Sequence, residues 1–341
     1  MVYDIAIVGL GVAGILMLAH IPSERLERVL IVEANCIGGD LSSLYSSTVA
    51  NITKAAILEA FRKIPRWTTA TFPLLEKYED TQCPKLGDVC RQMVCLIRGD
   101  IERAQYRTAN VLSLRESPLG WMLDTSVGCL DAKKVVLCVG GIPKTMDLPR
   151  PIIPLHVALS KELLANNVVA EDRVVVFGTA HSGTLAIKNL KEVGIQSITG
   201  VHTGKQPFLF ARDGHSEGIK QESATIADEI LCNMWGTQTP TLVNYDDFGT
   251  VFRKTLAATH IVYAHGFQRR TLRCINKDNT DVILHHNPAD ASFVGYEGRL
   301  WGFGLAYPGR YTAPNGTSYP DIGFGGFIAA IAVSLPAILQ Q

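Results

Sequence analysis

The chain has 341 residues, 47% hydrophobic and 19% charged, a balance that suits two globular domains and excludes a disordered chain. Its 32 basic residues are matched by 32 acidic ones, so the basic excess that phosphate neutralisation demands of a nucleic-acid binder is missing. Eight cysteines, at 36, 83, 90, 95, 129, 138, 232 and 274, form no disulfide framework and read as the reduced thiols of a cytoplasmic protein.

Residues 4–8 are a short apolar run ending in Gly9-Leu10-Gly11-Val12-Ala13-Gly14. A helical apolar pattern follows over 15–20, then a second apolar run over 28–32 that closes on Glu33-Ala34. Strand, glycine turn, helix, strand and acid in this order predict a βαβ unit and a parallel sheet. The early Asp4, the lack of a basic leader and the immediate glycines argue against a signal peptide. Helices are expected over 55–63 and 89–101, and strands over 110–114, 121–125 and 134–139, the last stopped by Gly140-Gly141. On the second of these helices, Cys90 and Cys95 read as structural residues. Residues 143–154 are proline-rich and read as a linker.

A second βαβ signal starts at Arg173, with the turn Gly178-Thr179-Ala180-His181-Ser182-Gly183, a helix over 184–192 and a strand over 196–201. A further strand over 260–264 ends in His265-Gly266-Phe267. Residues 327–339 are apolar but too few to cross a bilayer, and they contain Pro336, so a buried C-terminal helix is expected and no membrane partner.

The first turn is a complete G-x-G-x-x-G. Gly9 permits the tight turn, Gly11 lets a pyrophosphate approach the backbone, and Gly14 lets helix and strand pack closely. Val12 and Ala13 open the helix, whose free N–H groups face the phosphate. Glu33 lies 19 positions after Gly14, where a carboxylate accepts from an adenosine ribose. The turn alone does not separate FAD from NAD. In the second turn Ala180 replaces the middle glycine, and the strand end Thr199-Gly200-Val201-His202-Thr203 carries neither an acid nor an arginine pair. Gly178, Ala180, His181, Ser182 and Gly183 are the candidate nucleotide contacts there, with Lys205 or Arg212 as candidates for a 2′-phosphate. His181 can meet a cofactor phosphate or cap its helix. The pair His285-His286 has no third ligand at recognisable spacing, so no metal site is expected.

These motifs, together with the small-residue stop at Val139-Gly140-Gly141 and the segment Thr108-Ala109-Asn110-Val111, resemble the two-dinucleotide-binding flavoproteins over nearly the whole chain. That broad group holds glutathione-reductase-like enzymes and flavin-containing monooxygenases. Gly38-Gly39-Asp40-Leu41, Ser46-Ser47, Asn51 and Thr53-Lys54 are most similar to the flavin-containing and N-hydroxylating monooxygenases, although Leu41 stands where they have Trp. Ala264-His265-Gly266-Phe267 resembles their Ala-Thr-Gly-Phe/Tyr stop, and the stretch around Gly302 and Gly304 resembles their return to the flavin.

The resemblance implies an α/β protein with two Rossmann-like domains. A discontinuous FAD domain (1–150 and 286–341) would flank an inserted NAD(P)-like domain (151–285), with flavin and substrate in the cleft between them. It implies FAD as cofactor and NAD(P)H as reductant, NADPH being slightly favoured. Val111 would contact adenine. Gly39, Asp40 and Leu41 would pass over the phosphates and ribityl chain, and the helix after Gly326 would aim its N-terminus at the flavin pyrimidine. Asn51 would be the catalytic neighbour of the flavin's reactive edge, or else a helix cap. Asp40-Leu41-Ser42-Ser43-Leu44-Tyr45 holds no cysteine, and Cys36 precedes the glycines with no nearby partner, which disfavours dithiol chemistry at the flavin. The expected activity is a FAD-dependent oxidoreductase, monooxygenase-like, acting on a small molecule. The alternatives are a nicotinamide-independent oxidase or dehydrogenase and a non-catalytic FAD-binding redox module. Homodimers are frequent in such folds.

Overall fold

A computed structural model describes residues 1–208, 220–312 and 316–340. In chain order, β1 (Val2–Val8) leads through the first glycine turn into α1 (Val12–His20), followed by β2 (Val29–Glu33). Three helices come next: α2 (Gly39–Ser43), α3 (Lys54–Phe61) and α4 (Leu86–Arg103). Strands β3 (Gln105–Thr108), β4 (Val111–Ser117), β5 (Gly120–Thr125) and β6 (Gly128–Leu137) complete this part. The middle of the chain opens with β7 (Gly141–Pro143), β8 (Ile152–Ile153), α5 (Leu155–Ala158) and α6 (Lys161–Ala165). It continues through β9 (Arg173–Phe177), α7 (His181–Glu192), β10 (Ser197–His202), α8 (Glu222–Leu231) and β11 (Thr241–Asn244), then α9 (Phe248–Ala257), β12 (His260–Tyr263) and β13 (Phe267–Arg269). The last part holds β14 (Arg273–Ile275), β15 (Asp281–Val282), β16 (Leu300–Gly302), β17 (Gly309–Thr312), β18 (Ser318–Asp321) and α10 (Phe324–Leu339).

Two compact units result, both of Rossmann type, as the glycine turns lead one to expect. Unit 1 comprises Met1–Ser46, Thr53–Gly141 and Arg269–Gln341, and unit 2 comprises Ser47–Ile52 and Ile142–Gln268. In unit 1 the sheet order is β15-β14-β4-β5-β6-β1-β2-β3, with β16 also on β6. Strands β6, β1, β2 and β3 run parallel, and β4, β5 and β6 form the expected antiparallel meander. Its core gathers Val8, Leu30, Leu114, Trp121, Leu123, Val135 and Leu137. Helix α1 is buried from Ala13 to His20 and packs on α4 and α10. A helix apolar on all sides must sit inside, and each of its Ile, Leu and Met side chains contributes ~1.5–3 kcal/mol by leaving water. Unit 2 is a parallel sheet in the order β11-β10-β9-β12-β8, with a core of Val175, Phe177, Val201, Val243, Ile261 and Tyr263.

Three boundaries differ from the sequence reading. Residues 273–282 fall within the expected insert, yet β14 lies parallel on β4 with Cys274 opposite Leu114, burying Cys274 and Ile275 at the edge of the unit 1 sheet. The short stretch Ser47–Ile52 clusters with unit 2. Helix α10 begins at Phe324 with Gly323 as its N-cap, so Gly325 and Gly326 lie inside its first turn and not before it.

Candidate functional site

In unit 1 the site starts at the first turn. Gly9 has φ +93°, and a Cβ there would lie 2.5 Å from the Cys138 carbonyl oxygen. A Cβ on Gly14 would run into the carbonyl of Gly9. These two glycines are therefore demanded by the protein's own packing. Gly11 is different: its φ is −72°, and a Cβ there would meet only Gly39 Cα, at 4.0 Å. Among the described residues nothing else comes within 4 Å of that Cβ position, which leaves space beside Gly11 that a ligand could use. Gly11 is also the N-cap of α1, with no side-chain cap and no acid in the first turn, which leaves N–H groups free for an anion.

Glu33 is fixed beside this turn. One carboxylate oxygen accepts from the Leu10 N–H at 2.5 Å and the other from the Asn35 N–H at 2.9 Å. The residue is only 5% exposed, yet each oxygen keeps a further lone pair for a ribose hydroxyl. The N–H of Ala109 donates to the Glu33 carbonyl, which brings the segment leading to Val111 alongside. Val111 starts β4 at a register shift and is half-buried. Ala34 points to solvent.

The Gly38-Gly39 turn packs onto the first one. The N–H of Gly38 donates to the Leu10 carbonyl at 2.9 Å, and a Cβ on Gly39 would lie 3.1 Å from Gly11 Cα. Asp40 and Leu41 follow in α2, both half-buried. Arg270, in the returning chain, donates from Nη2 to Asp40 at 2.6 Å and from Nη1 to the Val139 carbonyl at 3.2 Å, beside Gly140. Gly141 opens β7 and is buried. Gly304 has φ +82°, and a Cβ there would meet the Ala13 methyl at 2.8 Å, so the return segment closes against the first turn of α1. The structure thus brings together Gly9, Gly11, Val12, Ala13, Gly14, Glu33, Gly39, Asp40, Val139, Gly140 and Gly304. Arg270, which joins the Gly39-Asp40 and Val139-Gly140 segments, was not among the residues singled out from sequence.

Other expectations need correction. Asn51 lies in Ser47–Ile52 of unit 2, is exposed, and is not a helix cap: Thr53 caps α3 by accepting from the Ala56 N–H. Cys36 does have a neighbour in space, because its thiol donates to the Gly39 carbonyl at 3.8 Å and the thiol of Cys90, from α4, donates to the Gly38 carbonyl at 3.7 Å. At α10, the Asp321 carboxylate packs on Gly326, so the start of that helix already carries an acid of the protein. Among the described residues no cluster can hold a metal ion, and His286 instead donates from Nε2 to the Gly302 carbonyl at 3.1 Å while packing on Phe293 and Tyr307.

Unit 2 repeats the plan of the first turn. Gly178 has φ +100°, with the Ala264 carbonyl oxygen 2.5 Å from where a Cβ would sit, and a Cβ on Gly183 would strike the Gly178 carbonyl. Ala180 has φ −73° and ψ −170°, against −72° and −166° for Gly11. The backbone is the same, and an exposed methyl stands where the first turn leaves space. His181 does not cap α7, because Ala180 is the N-cap. Burial holds its imidazole below the usual range, so it is neutral at pH 7. Its Nε2 lies 3.3 Å from the Val49 carbonyl, and its Nδ1 lies 3.0 Å from the hydroxyl of Ser223, which itself donates to the Lys220 carbonyl. Ser182 follows in the first turn of α7, half-buried. Gly266 has φ +103° and open space around it.

One further residue of this turn was missed. The N–H of Gly9 donates to the Val32 carbonyl and that of Gly178 to the Val201 carbonyl, both at 2.8 Å. With Val8 opposite Val32 and Phe177 opposite Val201, His202 is the counterpart of Glu33. It is 7% exposed, and its Nδ1 is buried with no hydrogen-bond partner among the described residues. The signal was in the spacing, since His202 follows Gly183 by the same 19 positions that separate Glu33 from Gly14. Lys205 is exposed, and Arg212 lies outside the described residues.

No protein-family model matches the chain. Among solved structures it is similar to the bacillithiol disulfide reductase of Staphylococcus aureus, at a TM-score of 0.64 and 10% identity over 99% of both chains. It is similar also to the ornithine N-hydroxylase of Kutzneria sp. 744, solved with reduced FAD, NADP+ and L-ornithine, at a TM-score of 0.62 and 12% identity over 99% of both. The thioredoxin reductase of Lactococcus lactis gives a TM-score of 0.57 and 12% identity over 99% of both. At such identities the likeness establishes the fold, that of two-domain FAD/NAD(P) Rossmann-type proteins.

Proposed function

We propose that this protein is a FAD-dependent oxidoreductase in which unit 1 holds FAD and unit 2 takes NAD(P)H. The observation that carries the reading is Gly11, the uncapped N-cap of α1, whose Cβ position meets only Gly39 Cα among the described residues, while Glu33 waits beside the turn with both oxygens fixed. Gly11 and the first turn of α1 would bind the pyrophosphate, Glu33 the adenosine ribose, and Val111 the adenine edge. Gly39, Asp40 and Leu41 would cover the remaining phosphate side, held by Arg270. When bound, FAD supplies two-electron transfer between a nicotinamide and an acceptor. In unit 2 the first turn of α7 would take the nucleotide pyrophosphate, and His202 would offer its unused Nδ1 to the ribose or its 2′-phosphate, with NADPH favoured. The acceptor is a small molecule, handled in monooxygenase fashion, with Asn51 as the candidate hydrogen-bonding neighbour of the flavin.

A second reading has its own support. Ala180 puts a methyl where a pyrophosphate approaches, and His181 spends both ring nitrogens on protein partners. A nicotinamide-independent oxidase or dehydrogenase fits those two facts. The test is the visible spectrum of the purified protein, followed by anaerobic addition of NADPH and then NADH. Rapid bleaching of a flavin spectrum supports the first reading. A flavin that stays oxidised with both nucleotides, yet bleaches with an organic substrate, supports the second. No flavin, even after adding FAD, ends both.

A further inference from the structure

Two thiols hydrogen-bond to the Gly38-Gly39 turn. Cys36 precedes it and donates to the carbonyl of Gly39, and Cys90 rises from α4 to donate to the carbonyl of Gly38. The two acceptors are consecutive in the chain, so both thiols are bound to the same short turn, and each lies within electrostatic reach of the other. A Cβ on Gly38 would stand 2.6 Å from the Cys90 sulfur, which shows how tightly the turn already rests on α4. The thiols differ in access. Cys36 is half-buried and reachable, whereas Cys90 is fully buried and its thiol is pushed up to about 11, chiefly by burial and next by Cys36 itself.

We propose that Cys36 and Cys90 form a reversible disulfide that pins the Gly38-Gly39 turn to α4 and thereby controls exchange of the dinucleotide held at Gly11. The oxidant is a low-molecular-weight disulfide, RSSR. The thiolate of Cys36 attacks one of its sulfurs, forming a Cys36–SR mixed disulfide and releasing RS−. Cys90 then loses its proton to solvent and attacks the Cys36 sulfur, expelling the second RS−. Two protein thiols are oxidised and one RSSR is reduced to two RSH. The roles follow from access: the reachable thiol attacks first and the buried one resolves. Gly39 packs on Gly11, so a turn tethered to α4 through Cys36 can no longer lift away from the first glycine turn. The control of exchange rests on the reading that unit 1 holds FAD, but the disulfide itself does not.

The test uses the full-length protein, saturated with FAD and incubated with oxidised glutathione. Free thiols are then alkylated without reduction and the digest is examined by mass spectrometry. A peptide joining Cys36 to Cys90, lost on adding dithiothreitol and absent in Cys36→Ser, is the expected result. FAD release, followed by the rise in flavin fluorescence on dilution, should slow on the order of tenfold in the oxidised protein. Cys90→Ala serves as a second variant and should show a stable glutathione adduct on Cys36. Mixed disulfides on both cysteines with no joined peptide would overturn the proposal, as would a joined peptide with unchanged FAD release. A joined peptide in a protein that binds no FAD would support the disulfide, reject its control of FAD, and show that the failure lies in the cofactor reading.

Discussion

Gly11 and Ala180 stand at the same place in two turns built alike, within a few degrees in φ and ψ and each as the N-cap of the following helix. Around them the turns diverge. The first sits beside a carboxylate held by two backbone N–H groups, and the second beside a buried histidine whose Nδ1 has no hydrogen-bond partner among the described residues. The difference teaches that this fold separates two tasks. The outer glycines fix the turn in both units, while the middle position and the strand end decide what the turn receives.

The largest expected effects test the shared part. Gly14→Ala and Gly183→Ala each force a methyl into the carbonyl of the turn's first glycine. Each should cost ~3 kcal/mol or more of stability, read as a lower urea midpoint. If either variant is as stable as the parent, the two turns are not built alike. Next comes the part that differs. Gly11→Ala should leave the urea midpoint nearly unchanged, because its Cβ meets only Gly39 Cα at 4.0 Å. The same variant should weaken FAD binding ~10- to 100-fold, an effect of ~1.4–2.8 kcal/mol. Ala180→Gly should move in the opposite direction and tighten NADPH binding by up to ~tenfold; calorimetric titration of both variants measures the pair. A Gly11→Ala protein that unfolds, or that binds FAD as before, would break the assignment of that space to a ligand.

A smaller effect is expected at the strand ends. Glu33→Gln keeps the shape but loses the charge that Leu10 and Asn35 donate to, and should weaken FAD binding ~tenfold, since hydrogen bonds to charged groups contribute ~1.5–3 kcal/mol. His202→Ala should weaken NADPH binding and leave FAD binding untouched. The smallest effect is a pH dependence. Burial lowers the pKa of His181 in unit 2, and of His20 in unit 1. Below about pH 6.5 the unfolded chain takes up protons that the folded imidazoles refuse. Stability should therefore fall as the pH drops from about 6.5 toward the folded values. His181→Gln should flatten part of that slope in urea titrations at pH 7.5 and 5.5, and an unaltered slope would show that this imidazole titrates normally.

Much of unit 1 was legible from sequence because its signals are local. Glycine spacing, an apolar helix and an acid at a strand end all lie within 33 residues. Arg270 was not legible, since its value comes from reaching Asp40 and Val139 across the sheet, at separations of 230 and 131 residues. Cys90 was hidden for the same reason, 52 residues from the carbonyl it meets. Asn51 was placed by resemblance alone, and resemblance did not reveal that Val49 is hydrogen-bonded to His181. His202 is legible by counting, but a histidine is neither the acid nor the arginine pair that a strand end offers to a ribose or its 2′-phosphate.

The carbonyl of Gly9 blocking Gly14, repeated at Gly178 and Gly183, bears on how such fingerprints are inherited. Substitution at an outer glycine is opposed by folding itself, whatever the turn binds. A descendant that lost its nucleotide would keep those two letters as long as it kept its sheet. Only the middle letter and the residue 19 positions on escape that packing demand, so any change in what the second turn binds would be written at Ala180 and His202.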